Sequence, residues 1–595
     1  MFVEPQQQSG TETNHNHDDL AVRGLTRTWR ARSSSDSQAS LLDRVLIARG
    51  LEANADEFMN PSLRGLHDPK LIPDLERSAT RILEAIERKE KIAIFGDYDV
   101  DGVTASAILI HTLRSICPQI DLVSYIPHRV EEGYGLNCEA IKSLHADAVS
   151  LIVSVDCGIT AIEPAKTAKS IGVDLIITDH HNPPASMDDL PDAFAVVHPR
   201  RPDSSYPFGE LCGAGVAYKL AWHICTLHCD SERVSPELRT VLVEMLGFAA
   251  LGSIADVVPL IDENRVIVKH GLRQIPHSRN EGLQALIHAS GLDSDKIDTE
   301  AVGFRLAPRL NAIGRLGHAA DALELMTNAT GEEARVLATR LSRVNDERKA
   351  IGEAIYAQAD EMARQAGMCE PDRRAIVLAH DDWHPGVVGI ICSRLVERYA
   401  RPVILMRRDG EICKGSGRSI DGFNLHAGLD GCAEMLIGYG GHDMAAGMRC
   451  GSDRFEQFAD AFIAFANERL TPEDLVNTAR YDSSARVSEL TADAVHSLER
   501  LAPFGAGNPR VQIRIVNAKL NGPPSPFGRG GNHLSLRVCN HGGGGMGWRV
   551  VAWNWARHIE KIPPGAPVEL IVEPKISTWN GRVSVEPVLV DLRVC

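Results

Sequence analysis

Between Lys91 and Arg200, short apolar runs alternate with segments of helical spacing, and this alternation limits the possible fold more than any other feature of the chain. KIAIF, LVSYIPH, SLIVSVD, DLIITDHH and AFAVVHP read as strands, while TASAILIHTLRSI and the stretch around CEAIKSLH read as helices between them. Strands that alternate with helices build a parallel sheet covered on both faces, so the expected fold class is α/β. Sheets of this kind bind ligands beyond the carboxyl ends of their strands.

That edge is where the acids fall. Asp97, Asp99 and Asp101 follow KIAIF, Asp156 ends SLIVSVD, and Asp179, His180 and His181 end DLIITDHH. Asp256 follows the apolar stretch EMLGFAALGSIA, where a carboxylate needs a partner or a metal. Carboxylates gathered at one edge repel one another unless cations neutralise them. Mg²⁺ and Mn²⁺ favour carboxylate oxygen, and Mn²⁺ also accepts imidazole, so one or two hard divalent ions are the expected cofactor.

Composition excludes several classes. The 595 residues exceed one domain, and the 44% apolar and 24% charged fractions are ordinary for a globular chain. No run reads as a membrane span and no signal-peptide order is visible, so a cytoplasmic protein without a membrane partner is expected. The 13 cysteines are scattered singly, with no CxxC pair, as expected of free thiols in a reducing compartment. A net charge of −16 argues against a general nucleic-acid coat and leaves room for a local basic channel.

GDYDVDG, SVDCG, TDHH and GSIADVVPL, in this order, resemble the four motifs of the DHH phosphoesterase superfamily, and their wording is similar to its bacterial single-stranded-DNA exonucleases. IPHRVEEGYGL and FRLAPRLNAIGRLG extend the likeness. WHPGVVGIICSRL, KGSGRS and GYGGHDMAAG resemble the DHHA1 substrate-binding domain that accompanies the catalytic domain. The resemblance implies metal ligation by Asp99, Asp101, Asp156, His180 and Asp256. Some relatives have a histidine where this chain has Phe95, so Asp97 is expected behind the ligands, with His181 beside them; both are catalytic candidates. Two ions would then bind a phosphodiester, activate water and stabilise the leaving oxygen.

GSGRS combines small residues, hydroxyls and a guanidinium, which lets backbone amides approach an anion while Arg418 grips it. By resemblance Ser416 and Arg418, with Gly417, Ser419 and Arg129, hold the 5′ phosphate of a strand. Arg309, Asn311 and Arg315 are expected in a loop punctuated by Pro and Gly, suited to backbone phosphates, and His442 among glycines is expected to face the active site. At WHPGVVG, a helix start open to phosphate and core packing of Trp383 are both open readings.

The expected domains are a disordered tail at 1–40, a DHH catalytic domain with an N-terminal extension at 41–320, a helical linker at 321–370, a DHHA1 domain at 371–472 and an OB-like barrel at 473–595. From Arg480 to Cys595 there are 14 Lys and Arg against 9 Asp and Glu, a surplus of 5 that suits contact with DNA phosphates. Trp548, Trp553 and Trp579 are placed there either to stack on bases or to fill the barrel. By resemblance the chain is a monomeric 5′-3′ exonuclease of single-stranded DNA, acting in recombination and repair beside a helicase and single-strand-binding protein. A small-substrate DHH phosphodiesterase and a non-catalytic DNA-binding scaffold are the alternatives.

Overall fold

The computed structural model describes residues 21–33, 39–129, 132–231, 233–293, 297–542, 547–579 and 582–595; the rest of the expected tail and the side chain of Trp579 lie outside them. The chain divides into two compact units, one of residues 56–475 with 501–510, the other of residues 1–55, 476–500 and 511–595.

In the first unit, β1 (Lys91–Gly96), β2 (Leu122–Tyr125), β3 (Val149–Val155), β4 (Asp174–Thr178) and β5 (Ala195–Val197) form a wholly parallel sheet in the order β2-β1-β3-β4-β5. β1, β3 and β4 are apolar along nearly their whole length because helices cover both faces. The register aligns their ends, since Gly96 pairs with Val155 and Val155 with Thr178. Asp97, Asp156 and Asp179 therefore leave the sheet side by side.

Helix α1 (Val100–Ile116) starts at this edge and is buried almost all round, packed against α2 (Gly213–His228) and α3 (Pro236–Ala255). α3 is long and apolar enough to cross a membrane by length and composition, which the sequence reading overlooked. Here Leu242, Met245, Leu246 and Phe248 bury that apolar surface in the core.

FRLAPRLNAIGR is helical rather than a loop. A π-helical turn at Val302–Leu306 leads into α4 (Ala307–Leu316), and Pro308 sits in the first turn of α4, directly after the π-helical one. Gly314 is required by close approach: a Cβ there would meet the Tyr98 carbonyl at 2.6 Å. The linker is two helices, Ala320–Thr327 and then the 35-residue α5 (Gly331–Gln365).

The second sheet of this unit contains β6 (Ile376–His380), β7 (Val403–Asp409), β8 (Ile412–Arg418), β9 (Leu436–Gly441) and β10 (Ala445–Gly451), in the order β9-β10-β8-β7-β6. Only β6 and β7 are parallel. Helix α6 (Pro385–Tyr399) packs on β7 and β8, and Trp383 just before it is buried, its indole N–H donating to Gln358 Oε1 at 2.9 Å. Core packing is thus the role of Trp383.

The other unit holds a barrel of β11 (Ile513–Leu520), β12 (His533–Asn540), β13 (Trp548–Ala552), β14 (Pro567–Glu573) and β15 (Val588–Val594). The order β11-β14-β15-β13-β12 closes when Leu520 of β11 pairs with Val538 of β12. Three segments depart from the expected boundaries, the first being residues 41–55, expected in the catalytic domain but part of this unit, where Arg44 donates to the Ser484 carbonyl at 2.7 Å. Val22–Arg23 and Thr28–Ala31, expected in the tail, are strands, and the second pairs in parallel with Thr478–Tyr481. Trp29 explains why this stretch is ordered, since its ring is buried and its Nε1 donates to Asp591 at 2.7 Å. Residues 501–510, expected in the barrel domain, belong to the first unit, where Arg265 bonds the carbonyls of Leu501, Ala502 and Pro503.

Candidate metal centre

The three aligned strand ends bring their acids together, and two helices complete the cluster. Asp99 caps α1, its Oδ1 accepting from the amides of Asp101 (2.9 Å) and Gly102 (3.2 Å). Asp101 lies in the first turn of α1, where Oδ2 accepts from Gly213 N at 2.6 Å and Oδ1 from Ala214 N at 2.9 Å, the free amides of the α2 N-terminus. Such contact needs glycine: a Cβ on Gly213 would stand 2.6 Å from Asp156, and one on Gly252 of α3 would stand 2.4 Å from Asp101 Oδ1. Asp256 ends α3 as its C-cap.

His180 Nε2 lies 3.1 Å from Asp156 Oδ1 and 3.7 Å from both Asp101 Oδ2 and Asp256 Oδ2. Three groups of side chains each bring ligand atoms within 4.8 Å of one another: Asp97, Asp99 and Asp156; Asp101, His180 and Asp256; Asp156, His180 and His181. Asp97, expected behind the ligands, stands in the first group on equal terms with Asp99.

The electrostatics are those of a site built for cations. Asp97 Oδ1, Asp156 Oδ1 and His180 Nε2 are buried without a hydrogen-bond partner. Burial and the charge of Asp99 push Asp97 well above the usual carboxylate range, and burial with Asp101 does the same to Asp156. Asp256 is pushed up to about 8 by burial and Asp101, while burial drives His180 down. Asp156 also holds a left-handed backbone at φ 62°, a strained conformation for a residue other than glycine. Oxygen and imidazole donors in this number fit Mn²⁺ or Mg²⁺.

Asp179 plays a different part. Burial raises its pKa, yet the His181 ring outweighs that and holds it at about 2. Its Oδ1 meets His181 Nδ1 at 2.8 Å and its Oδ2 accepts from Ile159 N at 2.8 Å, so it fixes the imidazole. Burial lowers the pKa of His181, but the Asp179 bond lifts it to about 9. The Tyr134 hydroxyl, 3.1 Å from His181 Nδ1 and 3.0 Å from the Asp156 carbonyl, steadies the same ring. The sequence reading missed Tyr134, although it stands in the quoted EEGYGL.

Basic groups converge next to the acids. Arg315 donates to the Gly386 carbonyl at 2.9 Å, and burial together with Arg129, Arg348 and Arg418 pushes its pKa down to about 10, with Asp99 opposing. Arg129 lies 4.6 Å over the Tyr98 ring, and Arg348 Nε is buried without a partner. Among the described residues no carboxylate forms an ion pair with any of these four arginines. Arg348 was missed because nothing in RVNDERKAIG shows which face of a long helix meets the pocket. A Cβ on Gly389 of α6 would lie 3.4 Å from both Ser416 Oγ and Arg418 Nη2, so these two side chains share the α6 surface.

Other expected contacts are placed differently. The Ser419 hydroxyl donates to the Phe423 carbonyl at 2.6 Å and builds a turn, and Gly417 is buried against Leu425 in the strand ladder. Asn311 Oδ1 accepts from Val100 N at 3.1 Å, satisfying the start of α1. Arg309 is held by Ser342 Oγ at 3.0 Å and the Arg305 carbonyl at 2.6 Å. His442 is exposed, its Nδ1 3.3 Å from Asn182 Nδ2, one residue after His181.

Comparison with known proteins agrees with this arrangement. Residues 91–252 match the N-terminal domain of the DHH family, 372–468 the DHHA1 domain and 481–591 the RecJ OB domain. The chain is 38% identical to the single-stranded-DNA-specific exonuclease RecJ of Bacillus subtilis over 558 residues, 93% of this chain and 68% of that protein. The crystal structure of RecJ from Thermus thermophilus in complex with Mn²⁺ superposes with a TM-score of 0.78 at 31% identity, covering 95% of this chain and 79% of that one. Its complex with Mg²⁺ gives 0.72 at 29% identity, covering 95% and 78%. With 38% identity to one such exonuclease over 93% of its length, and matches to the DHH, DHHA1 and RecJ OB domains, the chain belongs to the family of single-stranded-DNA-specific exonucleases named RecJ.

Proposed function

We propose that the chain is a metal-dependent exonuclease that hydrolyses single-stranded DNA from its 5′ end to 5′-mononucleotides, with Mn²⁺ or Mg²⁺ as cofactor. The observation that carries this is the convergence of Asp97, Asp99, Asp101, Asp156, His180 and Asp256, with buried ligand atoms that lack a hydrogen-bond partner, beside Arg315 and the arginines whose charge acts on it. Divalent ions held by those six residues supply the Lewis acidity that phosphodiester hydrolysis requires. His181, whose pKa the Asp179 bond raises, is held by Asp179 and Tyr134 beside the cluster, where it would donate to a phosphate oxygen.

The arginines give the polarity. Arg129, Arg348 and Arg418 bring like charge to bear on the buried Arg315, and a terminal phosphate with two charges suits this cluster better than an internal diester with one. Ser416 adds a hydroxyl beside Arg418. Gly417 and Ser419 shape the strand and turn that carry these groups, while Asn311 and Arg309 fix the helices behind the pocket. His442 reaches the same mouth through Asn182.

The barrel offers its own surface for single strands. Trp553, half exposed, packs its ring 4.8 Å from His533 and 5.6 Å from Phe527, and Arg549 lies 5.3 Å over Phe527. Aromatic faces with a guanidinium are suited to stacked bases. Work in recombination and repair, a cytoplasmic monomer, and cooperation with a helicase and single-strand-binding protein complete the reading.

The test is digestion of 5′-phosphorylated single strands labelled at either end, with Mn²⁺, beside a blunt duplex and the Asp101→Ala variant. Mononucleotides released at once from a 5′ label and late from a 3′ label, with neither duplex cleavage nor activity in the variant, are expected. Intact single strands alongside cleaved dinucleotides would contradict the proposal. Arg418→Ala should reduce the preference for a 5′-phosphate over a 5′-hydroxyl end about tenfold or more.

A further inference from the structure

Phe304 and Val257 are the two most exposed large apolar side chains among the described residues, at 77% and 67%. They stand on segments that meet, since a Cβ on Gly303 would lie 3.9 Å from Ile254 Cγ2, and Ile254 is two residues before Asp256. The two largest apolar exposures among the described residues thus stand on neighbouring segments, one of which carries Asp256 of the metal centre.

Both are held there by rigid backbone. Phe304 occupies the middle of the π-helical turn, a form that recurs at functional sites. Val302 and Leu306 on either side are fully buried, and Arg305 donates to the carbonyls of Ser290 and Gly291. Arg309 in turn grips the Arg305 carbonyl. Val257 holds φ at 62°, where a β-branched side chain is strained. An aromatic ring in water on a held backbone, next to Arg305 and Arg309, fits a ligand that is flat and apolar on one part and anionic on the next. A nucleobase with its phosphates is such a ligand.

We infer that Phe304 is a stacking platform for one base of the substrate strand as it passes Asp256, with Val257 against the edge of that base. This rests on the reading of the centre as a single-strand hydrolase, and it makes Phe304 a positioning residue for the strand. A protein partner covering the same apolar rim is the competing occupant; the flanking arginines and the nearness of Asp256 favour the strand.

The experiment uses the full chain and 5′-phosphorylated oligothymidylates carrying 2-aminopurine at each successive position, bound in EDTA so that nothing is cut. One position should show fluorescence quenching that Phe304→Ala loses and Phe304→Trp keeps. In Mn²⁺, Phe304→Ala should raise KM about tenfold with little change in kcat. An abasic site at the quenched position should erase the difference between variant and wild type. Phe304→Ala with wild-type quenching and KM overturns the inference, as does an equal defect on the abasic strand or quenching that is displaced by a protein partner but not by DNA. Quenching that depends on Phe304 in a chain that cuts no single strand upholds the platform and overturns the hydrolase reading.

Discussion

Asp591 and Asp156 are both sealed from water, one on a barrel strand and one at the sheet edge, and their surroundings are opposite. Asp591 accepts from Thr26 N, Thr26 Oγ1, Arg27 N and Trp29 Nε1 at 2.7–3.1 Å. Asp482 in the same unit is equally well supplied, by Arg32, by two nitrogens of Arg49 and by Gln512 N. Asp156 has an oxygen that accepts no hydrogen bond, with His180 Nε2 3.1 Å away, and burial and the charges of Asp101, Asp99, Asp97 and Asp256 all raise its pKa. A buried carboxylate with a full set of donors ties segments of a fold together, whereas carboxylates packed against one another keep a place for a cation. The contrast separates groups that stabilise the protein from groups that it stabilises at a cost.

The contrast can be tested by exchanging losses. Asp156→Asn should lower nuclease activity more than about a hundredfold, beyond the effect of disturbing residues that merely support metal ligands. The same change should leave the metal-free melting temperature unchanged or higher, as read by calorimetry in EDTA. Asp482→Ala should do the reverse, removing about 3–5 kcal/mol by stranding Arg49 and Arg32; urea unfolding of the barrel unit measures it, and Mn²⁺ binding should persist. Gly252→Ala joins the two effects, because its Cβ would press Asp101 at 2.4 Å and Ala214 at 2.6 Å. A loss of about 1–3 kcal/mol, with weakened Mn²⁺ binding, is expected.

The smallest expected effect is a pH dependence away from the metal. His111 is half-buried with its Nε2 against the Met326 carbonyl at 2.8 Å, and desolvation holds its pKa below the ordinary 6.5. The unfolded chain then takes up a proton that the fold disfavours. Stability is therefore full above the ordinary value and declines as pH falls through it. His111→Gln should flatten that acid slope in thermal melts, and an unchanged slope would assign it to other groups.

The catalytic sheet was legible in the sequence because each of its signals is local: an apolar strand, an acid at its end, a helix after it. The barrel was legible from its short strands and turns. Features fixed by distant contacts were not. Thr28–Ala31 is a strand because Thr478–Tyr481 and Asp591 receive it, partners some 450 to 560 positions away, as the pairs Thr28 with Thr478 and Trp29 with Asp591 show. FRLAPRLNAIGR carries Pro and Gly, so it reads as a loop, yet both residues serve a helix, one by position in its first turn and one by its approach to Tyr98. Ser419 and Asn311 are polar residues in the expected motifs whose local hydrogen bonds occupy them, and Arg348 is a helix-surface arginine until packing brings it to Arg315.

The central claim is that the unpartnered acids are a cation site. Titration calorimetry of the metal-free protein with Mn²⁺ tests it most directly, comparing wild type, Asp156→Asn and Asp482→Asn under the same buffer. Saturable binding by the wild type and Asp482→Asn, greatly weakened in Asp156→Asn, is the predicted result. Binding that is absent from the wild type, or unchanged by Asp156→Asn, would contradict the account.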